Sequence, residues 1–401
     1  MKRVIALLLV VAMCTGLCAC GSGNKSGGAK SGDTQAAAAA GDSSAADTSS
    51  AKDEKPEKIL FFTAFIGDFG LSDMGYKAVQ GIAENYNMEY TLVEYGSYDA
   101  GLAVNSFWDA LETTDYDYFF GPTWYIEELL DDAATQYPDT TFILYDVGRE
   151  VTFNSKNIYS ISFAQNESAF VAAILQTLMT EKGKIGVIST DSPILNDFST
   201  GWIAGCKYAK KELGIDFEWL HSYLADQSMS GTYEAMNVMY DNGCDAVWPI
   251  TAQFMLSGAQ AAEEHGGIEN GYFVMGCDYD QWSYFKDLSE ADDKEGSIGY
   301  ENILTSITKN IEPCAIAILE SVKGANNIEP GNRLYGVAAN GVGYVENENF
   351  LENVPQDVQD TLKEVIEKIG TGEIVVPSYF EFSSYDAFAA YRDNADAEFA
   401  P

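Results

Sequence analysis

The stretch Ile59-Leu60-Phe61-Phe62-Thr63-Ala64-Phe65-Ile66 is apolar at all but one position, and a helical pattern over residues 73–86 follows it. A strand that is apolar on both faces is typical of a parallel sheet covered by helices. The alternation continues along the chain. It predicts further strands at 88–94, 118–120, 141–145 and 158–163, with helices at 101–112 and 126–136 between them.

The same pattern restarts after residue 166. It predicts helices at 167–179, 198–213, 231–242 and 253–264, and strands at 184–189, 217–223, 246–249 and 272–277. Strands that alternate with helices of 10–15 residues indicate parallel βαβ units. Two such halves in series predict an α/β fold with two doubly wound parallel-sheet lobes. In folds of this kind, ligands bind at the carboxyl ends of the strands.

The first residues carry a targeting pattern. Lys2 and Arg3 precede an apolar run at 4–13, and Leu17-Cys18-Ala19-Cys20 matches the Leu-x-small-Cys site cut by the lipoprotein signal peptidase. An apolar run this short is typical of a signal peptide rather than a membrane-spanning helix. We expect residues 1–19 to be removed and Cys20 to be lipidated. An ordinary signal peptide that is cut elsewhere is the alternative.

Residues 20–56 are predicted to be a disordered tether. Gly, Ser, Ala, Lys and Asp dominate this stretch, and it contains no aromatic or branched apolar residue. Such a composition cannot bury enough surface to fold, and a coil of this length spans roughly 30–35 Å. The interpretation is a head held at the extracytoplasmic face of the cell membrane, beside a membrane partner. A spacer without a partner is the alternative.

Charge and residue counts exclude several classes of function. The chain has 61 acidic and 23 basic residues, a net charge of −38 that repels nucleic acid. Four cysteines remain in the head, Cys206, Cys244, Cys277 and Cys314, and they are predicted to be buried free thiols. His221 and His265 are the only histidines, and neither has a second ligand at metal-binding spacing. We therefore expect no metal site, no catalytic triad and no cofactor.

Short motifs in consistent order resemble the BMP (basic membrane protein) lipoproteins, which are PnrA-like substrate-binding proteins of ABC importers with a type I periplasmic-binding fold. The motifs cover nearly the whole head. They include Tyr118-Phe119-Phe120-Gly121, Tyr137-Pro138-Asp139-Thr140-Thr141-Phe142, Glu167-Ser168-Ala169-Phe170, Gly201-Trp202-Ile203-Ala204-Gly205, Gly276-Cys277-Asp278 and Leu304-Thr305-Ser306.

The resemblance implies three crossovers between the lobes, near residues 164–166, 306–309 and 338–341. Lobe one would then hold residues 57–164 plus 309–338, and lobe two residues 165–308 plus 339–380. Residues 381–401 would form a C-terminal tail. Closure of the two lobes by hinge motion would signal the bound ligand to the membrane partner.

The resemblance also implies a ligand site. Relatives place a purine nucleoside between aromatic rings and hold its ribose with carboxylates and a lysine. Asp278 and Lys309 match the family's aspartate and hinge lysine, and Trp248 matches a strand-end aromatic residue. The alternatives are a strand-end cap for Asp278, a solvated lysine and a core tryptophan.

The loop at residues 67–76, called the first loop below, departs from the family pattern. Relatives carry a Phe-Asn pair where this sequence has Met74 and Gly75. Replacement contacts are expected from Asp68, Phe69, Ser72 and Asp73, although Ser72 and Asp73 also suit a helix N-cap. Trp124, after the strand that ends at Gly121, and Asn196, before the helix that contains Gly201, are further candidates. Surface packing is the alternative for Trp124, and a helix cap is the alternative for Asn196.

The sequence therefore predicts a binding protein that delivers a nucleoside-like ligand to ABC permease subunits and performs no chemistry. A protein that binds a sugar or sugar-like signal is the second candidate, and a receptor for a membrane sensor is the third. An enzyme is a weaker candidate, because no activated nucleophile accompanies paired carboxylates such as Asp278 and Asp280.

Overall fold

The structure is a computed structural model, and it describes residues 55–224, 228–251, 253–290 and 299–394. The predicted signal peptide at 1–19, the predicted lipidation site Cys20 and the predicted tether up to residue 54 lie outside the described residues.

The first half of the head forms parallel βαβ units. It contains β1 (Lys58–Thr63), α1 (Leu71–Tyr86), β2 (Glu89–Glu94), α2 (Ala100–Leu111), β3 (Tyr118–Pro122), α3 (Leu130–Gln136), β4 (Thr141–Tyr145) and β5 (Ile158–Phe163).

The second half repeats the arrangement. It contains α4 (Gln165–Met179), β6 (Lys184–Ser189), α5 (Pro193–Lys211), β7 (Glu218–Tyr223), α6 (Met229–Asp241), β8 (Ala246–Pro249), α7 (Met255–Glu264), β9 (Phe273–Asp278), α8 (Gln281–Glu290) and β10 (Ile303–Lys309).

The remaining elements return to both halves. They are α9 (Ile311–Val322), β11 (Gly331–Tyr335), β12 (Val342–Tyr344), α10 (Glu348–Asn353), α11 (Gln356–Gly370) and α12 (Tyr385–Asp393).

The strands form two six-stranded sheets, one in each lobe. The order is β11-β5-β4-β3-β1-β2 in lobe one and β12-β10-β9-β8-β6-β7 in lobe two. Every strand pair is parallel except β10 with β12. The chain passes between the sheets after β5, after β10 and between β11 and β12. The predicted fold of two doubly wound lobes with three crossovers is confirmed.

Burial follows position in the sheet. The inner strands β3 and β8 are buried at every residue, whereas the edge strand β2 is exposed or half-buried throughout. Helices cover both faces of the inner strands, so these strands carry no polar side and favour parallel pairing. Cys206, Cys244, Cys277 and Cys314 are buried free thiols, as the sequence predicted.

Part of the stretch expected to be a tail, residues 385–393, is helical. Helix α12 packs on lobe two, where Phe388 and Tyr391 are buried. The buried Lys207 of α5 donates a hydrogen bond from Nζ to the Tyr391 carbonyl at 2.7 Å and lies 3.5 Å from the centroid of its ring. Burial and the nearby Lys211 lower the pKa of Lys207 to about 8. Within the described residues, no helix is long and apolar enough to cross a membrane.

Helices α4 and α5 form the tightest helix pair of lobe two, and Gly201 makes the close approach possible. A Cβ atom at residue 201 would lie 1.9 Å from the carbonyl oxygen of Asn166. Because this neighbour is backbone, it cannot rotate away, and a side chain would force the two helices apart.

Gly201→Ala is expected to lower the free energy of unfolding by about 1–3 kcal/mol through overpacking. Gly370→Ala is the matched control, because a Cβ there meets nothing closer than 3.8 Å. Chemical denaturation of both variants measures the difference. Equal stability of the two variants would show that α4 and α5 can separate freely.

Candidate functional site

A buried ion pair joins the two lobes. Lys309, the last residue of β10 in lobe two, places Nζ 2.8 Å from Oδ1 of Asp146, which follows β4 in lobe one. The side chains of Lys309 and Asp146 are only 4% and 10% exposed. Trp124 donates a hydrogen bond from Nε1 to the other Asp146 oxygen at 3.0 Å. The carboxylate of Asp146 is therefore held from both lobes.

Asp278 approaches the same lysine from lobe two. It ends β9 and lies opposite Thr308 of β10, one residue before Lys309. Burial raises the pKa of Asp278, the positive charge of Lys309 opposes that rise, and Asp146 adds to it. Burial alone would lower the pKa of Lys309, but Asp146 and Asp278 outweigh it and leave the pKa above its usual value. One cation thus lies between two strand-end carboxylates.

Asp146 and Asp278 share an unusual backbone conformation. Their φ angles are 58° and 72°, in the left-handed region that non-glycine residues rarely adopt. Strained backbone of this kind persists only where the surrounding structure holds it, and it is common at ligand sites. Both aspartates therefore hold, at the carboxyl ends of their sheets, a backbone conformation that is common at ligand sites.

A cavity of about 750 Å³ opens beside this cluster, between α1 of lobe one and α8 of lobe two. Its size suits a small organic ligand. Polar and aromatic side chains line it, including Asp73, Tyr76, Asp278, Tyr279, Tyr284 and Lys309.

Tyr279 lines the cavity and carries a buried polar atom. Its hydroxyl oxygen is buried and has no hydrogen-bond partner among the described residues. Burial raises the pKa of Tyr279, so the hydroxyl stays protonated. Because a buried polar atom without a partner is unfavourable, any hydrogen-bond partner for this hydroxyl would be stabilising.

The first loop uses most of its polar groups within lobe one. Asp68 is buried and accepts hydrogen bonds from the backbone N–H of Gly70 and Ser72 and from the hydroxyl of Tyr98. The buried Ser72 hydroxyl pairs with Thr63 at 2.8 Å. Neither Asp68 nor Ser72 lines the cavity, because both hold the N-terminus of α1 in place.

Asp73 is the acidic residue of this loop that reaches the cavity. It accepts hydrogen bonds from the N–H groups of Gly67 and Phe69 at 2.7 and 2.9 Å. Burial, the largest effect, raises the pKa of the Asp73 carboxyl, and the charge of Asp68 adds to the rise. Asp73 therefore both shapes the loop and presents a carboxyl to the cavity.

Phe69 makes a second contact between the lobes. Its ring centroid lies 5.6 Å from those of Tyr284 and Phe285 on α8. Its carbonyl accepts a hydrogen bond from Gln281 at 3.3 Å. The ring therefore packs against lobe two.

Tyr145 accounts for the glycine in the first loop. A Cβ at residue 75 would lie 2.0 Å from the Tyr145 hydroxyl, which donates a hydrogen bond to the Leu71 carbonyl at 3.2 Å. The tyrosine thus fills the space that the expected asparagine side chain would need. Met74 lines the cavity next to it.

Two other candidates lie away from the cavity. Trp248 is fully buried in the core of lobe two, where its ring packs edge-on against Phe198 at 5.8 Å. This position differs from the expected ligand-facing one, since α5 covers that face of β8. Asn196 is buried and satisfied by Asp191 and Tyr223, both in lobe two.

The structure thus brings Asp278, Lys309 and Asp73 together at one cavity. Trp124 does not line the cavity, but it hydrogen-bonds Asp146, the ion-pair partner of Lys309. Asp146, Tyr279 and Tyr284 were not among the site residues predicted from the sequence. A signal for Asp146 was present, because it directly follows an apolar strand in lobe one, as Asp278 closes one in lobe two. No group of metal-binding side chains occurs in the part of the chain that the structure describes.

The chain is similar to proteins of a known family. The family model described as ABC transporter substrate-binding protein, PnrA-like, matches residues 55–379. A Listeria innocua protein named CD4+ T-cell-stimulating antigen is 24% identical over 94% of this chain and 99% of its own length. A Lactococcus lactis protein named ABC transporter nucleoside-binding protein BmpA is 24% identical over 78% of this chain and 86% of its own length.

Solved structures share the fold. A crystal structure of an ABC transporter solute-binding protein from Aeropyrum pernix superimposes with a TM-score of 0.69. The two chains are 17% identical, and the match covers 86% of this chain and all of the other. The type I periplasmic-binding fold expected from the sequence is confirmed, and the chain belongs to the PnrA-like family of ABC transporter substrate-binding proteins.

Proposed function

We propose that this ABC transporter substrate-binding protein takes a purine nucleoside into the cavity between its lobes and presents it to a membrane permease. The observation that carries the proposal is Lys309, buried between Asp146 and Asp278 of opposite lobes beside that cavity. Carboxylates accept the paired hydrogen bonds of a ribose diol, and such charged bonds are roughly twice as strong as neutral ones. The Lactococcus lactis relative, named as nucleoside-binding, supports this ligand class.

The charge of the cavity favours an uncharged ligand over a phosphorylated one. Two lysines, Lys77 and Lys309, line the cavity together with five acids, Asp73, Asp278, Asp280, Asp287 and Glu312. Lys309 is already paired with Asp146. A phosphate group would therefore meet repulsion and lose its hydration. A nucleoside fits this environment better than a nucleotide.

Aromatic rings are available for the base. Tyr76, Tyr279 and Tyr284 line the cavity from both lobes. Stacking on such rings contributes ~1–3 kcal/mol per base in other proteins. These tyrosines would replace Trp248, which lies in the core.

A sugar or sugar-like signal is the second candidate ligand. Two of the aromatic residues that the sequence offered as ligand contacts, Trp248 and Phe69, are both engaged in protein contacts. The carboxylates would serve a monosaccharide equally well, because they recognise hydroxyl pairs.

We also propose that the head is anchored at the extracytoplasmic face of the membrane through a lipid on Cys20. The Leu17-Cys18-Ala19-Cys20 site and the basic, then apolar, residues before it support the anchor. Two or more acyl chains bind a bilayer stably, whereas one chain binds only marginally. The anchor would hold the head near its permease while the ligand passes on chemically unchanged.

Asp278→Asn is expected to weaken guanosine binding by about tenfold or more, because a ligand diol would lose a charged acceptor. Isothermal titration calorimetry measures the affinity. Asp109→Asn, an exposed carboxylate on α2, is the matched control and should leave it unchanged. Unaltered affinity in a folded Asp278→Asn variant would remove Asp278 from the binding site.

Guanosine is expected to bind more tightly than ribose and more tightly than guanosine 5′-monophosphate. The base adds stacking, and the phosphate adds repulsion from the acidic cavity. A competition assay with the three compounds separates the possibilities. Equal binding of ribose and guanosine would favour the sugar candidate, and stronger binding of the monophosphate would contradict the charge argument.

Cys20→Ser is expected to leave the protein unprocessed or to release it from the membrane, because serine cannot accept the lipid through sulfur. Cell fractionation and the apparent size of the product report the outcome, with Cys206→Ser as a control in the buried core. A membrane-bound product of mature size would show that Cys20 is not the anchor.

A further inference from the structure

A third contact between the lobes is ionic and lies apart from the cavity. Arg149 follows β4 in lobe one. One of its terminal nitrogens, Nη2, lies 3.5 Å from Oδ2 of Asp197 and donates a hydrogen bond to Oδ1 of Asn166 at 2.5 Å. Asp197 belongs to α5 and Asn166 to α4, so both partners are in lobe two.

Asp197 has a buried carboxylate that its neighbours hold in place by hydrogen bonds. Its side chain is fully buried and accepts hydrogen bonds from Gln165 at 2.8 Å and from the hydroxyl of Ser378 at 2.6 Å. A third bond comes from the backbone N–H of Tyr379 at 2.9 Å. Burial raises the pKa of Asp197, and Arg149 is the largest opposing influence. The arginine therefore supplies the positive charge that this carboxylate needs.

Residues 376–380 also surround Arg149 and its partners. The guanidinium carbon lies 5.8 Å from the centroid of the Phe380 ring. Asn166 donates hydrogen bonds to the carbonyls of Val376 and Pro377, which ties the segment to α4. Residues 376–380, expected in lobe two, thus form one wall of an inter-lobe contact.

The contact lies next to two crossovers of the chain. Ala164 lies in the crossover that follows β5, and Asn166 comes two residues after it. Glu167 accepts a hydrogen bond at 2.7 Å from the N–H of Val337, in the β11–β12 crossover. Glu167 is a second acid facing the cluster; burial raises its pKa, and the Val337 N–H and then the charge of Arg149 oppose that rise. Rotation about these crossovers would move Arg149 relative to Asp197.

We propose that Arg149, Asp197 and Asn166 form an inter-lobe latch that favours the closed arrangement of the lobes without contacting the ligand. Opening would withdraw the arginine and leave a buried carboxylate without its cation, which is strongly unfavourable. The three latch residues do not line the cavity between α1 and α8. The latch therefore adjusts how much of the ligand's binding energy is needed for closure.

Hydrogen exchange on the full-length, ligand-free chain tests the latch. Arg149→Met keeps the apolar stem and removes the charge. Two peptides serve as probes, residues 66–72 and 281–286, because they contain the two sides of the separate Phe69 contact between the lobes. Their exchange should become at least about threefold faster, because the open population increases. Peptides from β5 and β6, inside the two sheets, should exchange as in the parent protein.

Arg333→Met is the matched control. Arg333 lies on β11 of lobe one and donates a hydrogen bond to the Glu329 carbonyl in the same lobe, so its loss should not change the exchange of either inter-lobe peptide. Unchanged exchange in a folded Arg149→Met variant would overturn the proposal. Faster exchange throughout β5 and β6 would overturn it too, because the arginine would then support folding rather than closure.

Asp197→Asn gives an independent result. It should accelerate the same two peptides, and combining it with Arg149→Met should add less than the two single effects together. Fully additive effects would show that the two residues do not act as a pair. The exchange comparison needs no ligand, so it remains decisive even if guanosine fails to bind and the proposed function is wrong.

Discussion

The structure depends on one buried lysine shared by two lobes. Lys309 lies on a lobe-two strand, and its ion-pair partner Asp146 lies on a lobe-one strand end, 163 residues earlier in the chain. A buried ammonium group is stable only where carboxylates offset its lost hydration. Asp146 and Asp278 supply that offset, and they do so together only when the two sheets approach each other. The requirement to pair this charge thus links the local conformation of each strand end to the arrangement of the lobes.

Parallel sheets explain why these groups meet. In a doubly wound lobe, all parallel strands end at the same edge, so residues at the carboxyl ends of β4, β9 and β10 converge although the chain separates them. The two edges then face each other across the cleft. Aromatic residues and acids from α1 and α8 complete the cavity at this place. The same geometry brings Arg149, just past β4, to Asp197 at the start of α5.

The first loop shows how packing reassigns residues that a motif would give to a ligand. Asp68 satisfies backbone groups at the start of α1, and Ser72 bonds Thr63. Tyr145 occupies the space beside Gly75. Buried polar groups must find partners, and in this loop the nearest partners are within lobe one. Asp73 remains to face the cavity.

The sequence by itself determined the alternation of strands and helices, the two-lobe fold and the free cysteines, because these follow from local periodicity and residue type. Short motifs in the sequence also identified Asp278 and Lys309 as candidate ligand contacts. Only the tertiary structure decided the partners. Asp146 with Lys309 and Arg149 with Asp197 are contacts between distant segments, which no local pattern encodes. Only the tertiary structure shows that Trp248 belongs to the core. A strand that is buried on both faces has no polar side, so its sequence does not indicate which way a ring will point.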